Sequence, residues 1–220
     1  LTLYSSKAFL KKNQNRTPQQ QLDAQHDLIE LYQANKVPVK RGFISTAFGC
    51  NFDGDINPND VVDLVTQLLN IATEHGEKIE RVGLGDTMAW ATPESIKRVV
   101  GAVRNKHPDL PLLLHLHDTR GMGIANAYAG LEMGIDAFDS CVAGLGGCPF
   151  AGHKGAAGNV CTEDLVFMCE EMGIETGIDL SKMIECAIFA EKIVKHPLPG
   201  SVMCGGVLSK FRSPDRPVIY

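Results

Sequence analysis

The chain lacks most of the features that would assign it a class at a glance. No apolar run approaches the roughly 20 residues of a membrane span. No block of lysine and arginine interleaved with aromatics marks a nucleic-acid surface, and the net charge is −5. Neither a membrane nor a nucleic acid is an expected partner. The seven cysteines are odd in number and none falls in a CxxC pair. That argues against a disulfide framework or a structural zinc site, and for a reducing compartment in which most thiols are small core residues. There is no low-complexity tract and no repeat beyond an alternation of short apolar and amphipathic stretches. No GxGxxG opens a helix after the first strand, so nothing favours a doubly wound dinucleotide fold.

What is present is regular. Of the 220 residues 44% are hydrophobic, enough for one sizeable core. Helix starts are marked by a capping side chain ahead of proline at Thr17-Pro18, Asn57-Pro58 and Thr92-Pro93. Thr162 and Asp179 are expected to cap two more helices. Gly76, Gly134 and Gly173 follow periodic stretches, as helix stops do. Between the helices lie "LTLYSS", with which the chain opens, then "RGFISTAF", "IERVGLG", "PLLLHLH" and "DAFDSCVAGLG", each of strand length. Strands alternating with helices predict βα units on a parallel sheet. Five units are counted, where a closed (β/α)₈ barrel has eight. Residues 1–200 are read as one domain, and residues 201–220, rich in Gly and Pro, as an irregular tail. The polar, glycine-rich segments all follow strands, at the end where such folds build their sites.

Three of these segments carry chemistry. In "LLLHLHDTRG" His115 and His117 share one strand face if Leu116 takes the other. At a strand's carboxyl end two neutral imidazoles can ligate one metal, and that position favours metal over two merely hydrogen-bonded histidines. The segment "AGLGGCPFAGHKGAAGN" lets backbone approach a ligand, and its Cys148 is either a catalytic thiol or an ordinary loop residue. In "GLGDT", Asp86 is a metal-shell carboxylate, a general base or a simple turn Asp. Asp118 and Glu163 either orient ligands from behind or serve as helix-start acids.

The run "HLHDTRGMGIANAYAGLEMGIDAFDSCVAGLGGCPFAGHKGAAGN", followed by "TEDLVFMCEEMGIETGIDL", resembles 3-hydroxy-3-methylglutaryl-CoA lyase of the metallolyase TIM-barrel superfamily. "SKAFLKKNQNRT", "RGFISTAFGCNFDGDI" and "GLGDTMAWATP" match the same family in order. The resemblance implies a TIM (β/α)₈ barrel, here a partial one of five C-terminal βα units. It implies retro-Claisen cleavage of 3-hydroxy-3-methylglutaryl-CoA to acetyl-CoA and acetoacetate, as in leucine degradation and ketone body formation. It implies Mg²⁺ or Mn²⁺ held by His115, His117 and Asn159, a catalytic loop cysteine at Cys148, acid–base work at Asp86, and Glu163 near the metal. An acyl-CoA is the expected small-molecule partner, a homodimer the expected complete form, and cytoplasm or mitochondrial matrix the expected site. Two departures stand out. The loop between Cys148 and Asn159 carries about two extra residues, including His153 and Lys154. The family's first-strand Asp ligand and adjacent Arg have no counterpart, so the chain reads as the last five-eighths of a barrel. A lyase for a longer branched 3-hydroxyacyl-CoA, a condensing synthase of the same superfamily and an inactive fragment are the alternatives. A synthase would show a Glu-Arg pair where this chain has its cysteine loop. A metal-dependent hydrolase would need further His and Asp ligands that are not apparent.

Overall fold

The computed structural model describes residues 1–148 and 157–212. Five parallel strands form one sheet in sequential order: β1 (Thr2–Tyr4), β2 (Arg41–Ser45), β3 (Arg81–Gly85), β4 (Leu112–His115) and β5 (Phe138–Asp139). A sheet wound in one direction is an arc of a barrel; a doubly wound sheet reverses its strand order partway. The helices between the strands are α1 (Lys7–Gln14), α2 (Pro18–Ala34), α3 (Pro58–Glu74), α4 (Pro93–Lys106) and α5 (Gly123–Glu132). After β5 come α6 (Thr162–Glu171), α7 (Leu180–Val194) and α8 (Ser201–Gly205). None of the helices described is long and apolar enough to cross a membrane.

Register decides which residues face the helices. Leu3, Ile44, Leu84, Leu114 and Phe138 are successive partners across the sheet. They pack with Ile29 of α2, Val61, Val65 and Leu68 of α3, and Val99 and Val103 of α4 in one apolar core. The neighbouring register line, Tyr4, Ser45, Gly85, His115 and Asp139, therefore lies on the opposite, inner face. Leu116 is fully buried in the helix-side core, so His115 and His117 point inward together as expected.

The caps at Thr17, Asn57, Thr92 and Asp179 form as expected, with Gln20 and Ser95 completing capping boxes at Thr17 and Thr92. Gly76, Gly134 and Gly173 each take φ +73° in the turn after a helix. Thr162 does not cap α6. Its hydroxyl is engaged with Ser140, 2.9 Å away, and the N-cap position falls to Cys161. The tail is not wholly irregular: α8 and a 3₁₀ turn at Leu208–Phe211 occupy its first half. Residues 213–220 lie outside the described residues.

Beyond the five strands, residues 157–161 act as a sixth rail. The Val160 N–H donates to the Leu116 carbonyl (3.0 Å), and the Asp118 N–H to the Gly158 carbonyl (2.7 Å). On the other side the Cys141 N–H donates to the Val160 carbonyl (3.0 Å). This segment sets Asn159 opposite His117 and Cys161 beside Cys141.

Candidate active site

The site gathers where β3, β4 and the rail end. His117 is 5% exposed. Its Nδ1–H donates to the Thr87 carbonyl at 2.9 Å, and its ring also interacts with the side chain of Asn159. Burial pushes its pKa below the ordinary imidazole value, and neighbouring His115 adds to the shift, so the ring is neutral at pH 7. His115 sits beside it, ring centroids 5.1 Å apart and nearly perpendicular. Its Nδ1 faces Asp139 Oδ2 at 3.3 Å, a pairing set by their register across β4 and β5. Both imidazoles are thus oriented through Nδ1 by oxygen acceptors and present Nε2, the arrangement by which proteins aim histidine at metals.

Asn159 faces the same place. Its Nδ2 donates to the Leu145 carbonyl at 2.8 Å. Its Oδ1 is buried and has no hydrogen-bond partner among the described residues. A buried acceptor left unmade costs about 1–3 kcal/mol, and such an oxygen at a strand end is what a bound cation would satisfy. Two Nε2 atoms and an amide oxygen make a neutral donor set suited to a divalent ion. Among the described residues no three of His, Cys, Asp and Glu converge as a metal cluster, so the set has no carboxylate of its own.

Asp86 is 1% exposed. Its Oδ1 accepts from the N–H groups of Trp90 (2.7 Å) and Ala91 (2.9 Å), while Oδ2 is buried with no hydrogen-bond partner among the described residues. Burial pushes its pKa up to about 6 against the lowering effect of those two bonds. The turn that holds it is unusual, with Ala89 at φ +54°. It is clasped from outside by Arg120, whose Nη1 donates to the carbonyls of Met88 and Ala89, and by Asn126, which donates to that of Ala91.

The remaining expected residues divide. Asp118 Oδ1 accepts from the Gly123 N–H at 2.6 Å, the work of a helix-start acid at α5. Glu163 is fully buried, and its Oε2 accepts from the Ala143 N–H at 3.0 Å. It secures the left-handed turn at Ala143 and Gly144 (φ +51° and +67°) from which the glycine loop springs. That loop has a closed neck. The Gly158 N–H donates to the Gly144 carbonyl at 3.3 Å, and any side chain at Gly158 would collide with the Gly146 carbonyl. Cys148 is half-buried and packs against the cluster of Phe9, Cys50 and Met88. His153 and Lys154 lie outside the described residues. Sequence reading missed Thr87, Asp139 and Leu145. Thr87 and Leu145 act through backbone carbonyls, which leave no side-chain signal, and Asp139 depends on a register that only the sheet sets.

Residues 1–189 match the HMGL-like family model. The chain belongs to the HMGL-like family. It is 40% identical over 190 residues to the cytoplasmic 3-hydroxy-3-methylglutaryl-CoA lyase of Mus musculus, covering 86% of this chain and 53% of that protein. It is 38% identical over 185 residues to the mitochondrial hydroxymethylglutaryl-CoA lyase of Pongo abelii, covering 84% and 54%. The chain thus spans about half the length of these curated relatives. Among solved structures it resembles an HMG-CoA lyase from Acinetobacter baumannii in complex with coenzyme A and 3-methylmalate. There the TM-score is 0.83 at 37% identity, over 100% of this chain and 67% of that one. Hydroxymethylglutaryl-CoA lyase from Pseudomonas aeruginosa gives 0.82 at 33% identity, over 93% and 65%. The architecture is that of a TIM barrel, present here in part.

Proposed function

We propose that this HMGL-like chain supplies the metal and acid–base half of a lyase that cleaves 3-hydroxy-3-methylglutaryl-CoA into acetyl-CoA and acetoacetate. The observation that carries this reading is the pairing of His117 with Asn159 across the rail. It brings the rings of His115 and His117 together with the amide of Asn159 at one strand end, where Asn159 Oδ1 and Asp86 Oδ2 are buried without a hydrogen-bond partner among the described residues. His115, His117 and Asn159 would hold Mg²⁺ or Mn²⁺. When bound, the cation would offset the charge that builds on substrate oxygen and orient the bond to be broken.

The chain's own groups supply the proton steps. Asp86, ionised above pH 6 and with Oδ2 free, takes the proton of the C3 hydroxyl. The C2–C3 bond breaks, C3 becomes the ketone of acetoacetate, and the electron pair passes into the thioester enolate. The Cys148 thiol protonates that carbon to give acetyl-CoA, and the proton on Asp86 then passes through solvent to the Cys148 thiolate, restoring both groups. Thr87 and Asp139 keep the imidazoles aimed, and Glu163 holds the root of the loop that carries Cys148. Activity should rise with pH along a limb near pH 6, as Asp86 ionises. A homodimer is the proposed complete form.

Manganese titration tests the ligand set. His117→Ala should abolish or greatly weaken Mn²⁺ uptake, and unchanged uptake would refute it. Cys148→Ser in the active assembly should lower kcat far more than it alters KM, since the thiol acts in the chemical step. Unaltered kcat would reduce Cys148 to packing.

A further inference from the structure

In the outer helical layer, two more imidazoles meet. His26 of α2 places Nδ1 2.8 Å from Nε2 of His75, the residue that ends α3. The ring centroids are 5.1 Å apart and the planes are inclined at 46°. His26 lines a cavity of about 430 Å³ between the two helices, together with Asp63, Gln67, Asn70 and Glu74 of α3. No part of the proposed reaction uses this place.

The two nitrogens share a hydrogen bond, and their separation is also one that a chelate would accept. Two imidazole nitrogens, each about 2.0 Å from one cation and at right angles, lie about 2.8 Å apart; at a tetrahedral angle they would lie about 3.3 Å apart. We propose that His26 and His75 bind a single divalent transition-metal ion in adjacent coordination positions, and that the ion clamps α2 to α3. Right-angled nitrogen donors suit Cu²⁺ and Ni²⁺ better than Zn²⁺. Both rings are half-buried rather than enclosed, and the broad χ2 preference of histidine lets each turn its lone pair to a common point. The ring that donates the present hydrogen bond shifts that proton to its other nitrogen through solvent, so no net proton is released. Among the described residues no third His, Cys, Asp or Glu completes a cage. Water would fill the remaining positions.

The test uses the 220-residue chain with His115→Gln and His117→Gln, which silences the strand-end pair. Titration with Cu²⁺ should fill one site whose electron paramagnetic resonance spectrum shows two imidazole nitrogens, and Ni²⁺ should raise Tm with concentration. Adding His26→Gln or His75→Gln should remove both effects while far-UV circular dichroism stays unchanged. Should either added substitution unfold the chain, substoichiometric Cu²⁺ on the parent gives the answer, by broadening the ring resonances of His26 and His75 first. Uptake that survives both added substitutions, broadening centred on other histidines, or tighter binding of Zn²⁺ than of Cu²⁺ would overturn the proposal. Loss of this site leaves Mn²⁺ uptake at the strand ends as it was in the unsilenced chain, so the two readings fail separately.

Discussion

Asp86 sits where its ionised form destabilises the fold. Its folded pKa of about 6 lies above the unfolded value near 4, so the folded chain binds the extra proton in that window. Stability therefore falls as pH rises from about 4 to about 6 and stays lower above it, by roughly 3 kcal/mol from this group. Asp86→Asn keeps the acceptor for Trp90 and Ala91 and removes the charge. Urea unfolding across pH should show a shallower slope and a more stable protein at pH 7, while turnover in the active assembly drops about 10²–10⁴-fold. A variant no more stable than its parent at pH 7 would contradict this. Asp139→Ala should cost on the order of 10–100-fold in Mn²⁺ affinity by freeing the His115 ring; equal affinity would show that register alone aims it. At this scale the sequence exposes the titratable side chains at the strand ends and hides their backbone partners. His115, His117 and Asp86 stand out as types in context, whereas the carbonyl of Thr87 looks like any other.

Elements were legible wherever punctuation was strong. Thr17, Asn57 and Thr92, each followed by proline, fix three helix starts without any tertiary information, and Asp179 fixes a fourth. The stretch that becomes α1 has no proline or glycine. Its cap, Ser6, is one of two adjacent serines, and only Phe9 and Leu10 are buried, so its periodicity is too short to read. The rail at 157–161 escaped because it pairs at single residues on either side and has no alternation. Thr162 misled because a hydroxyl suited to capping was already engaged by Ser140. Helix α5 illustrates how packing overrides propensity. Alanine is favoured over glycine in a helix by about 1 kcal/mol, yet a methyl at Gly130 would come within 2.6 Å of Leu114 and 3.2 Å of Phe138. Overpacking of that kind costs about 1–3 kcal/mol. Gly130→Ala should therefore lower stability on balance, and a raised Tm would mean that α5 can retreat from the sheet.

For the whole molecule, the decisive fact is that the five described strands form an open arc. Among the described strands β1 pairs only with β2, so its other edge offers unpaired backbone groups. The inner face carries half-buried Tyr4, Phe43, His115 and Asp139, whereas the helix-side layer is almost dry. The alternation of strands and helices was legible in the sequence and the barrel followed from the family resemblance, whereas the singly wound order appears only in the folded sheet. A polypeptide spanning the part of the relatives' barrel that this chain does not cover should bind along the open edges. It should raise Tm, tighten Mn²⁺ by adding a carboxylate, and give acetoacetate from 3-hydroxy-3-methylglutaryl-CoA. Release of acetoacetate at about 1 per second or faster by the 220-residue monomer alone would show that the arc suffices.

The pinched neck of the glycine loop bears on how such proteins diverge. Gly144 and Gly158 are fastened to each other, and Asn159 and Cys161 are fastened to the strands beyond them. Residues can therefore be gained or lost within the loop without displacing the atoms on either side of the knot. Lengthening a loop whose ends are already joined costs little, since each doubling adds only about 0.6 kcal/mol. A change of length between the two ends leaves Asn159 and Cys161 where the strands hold them.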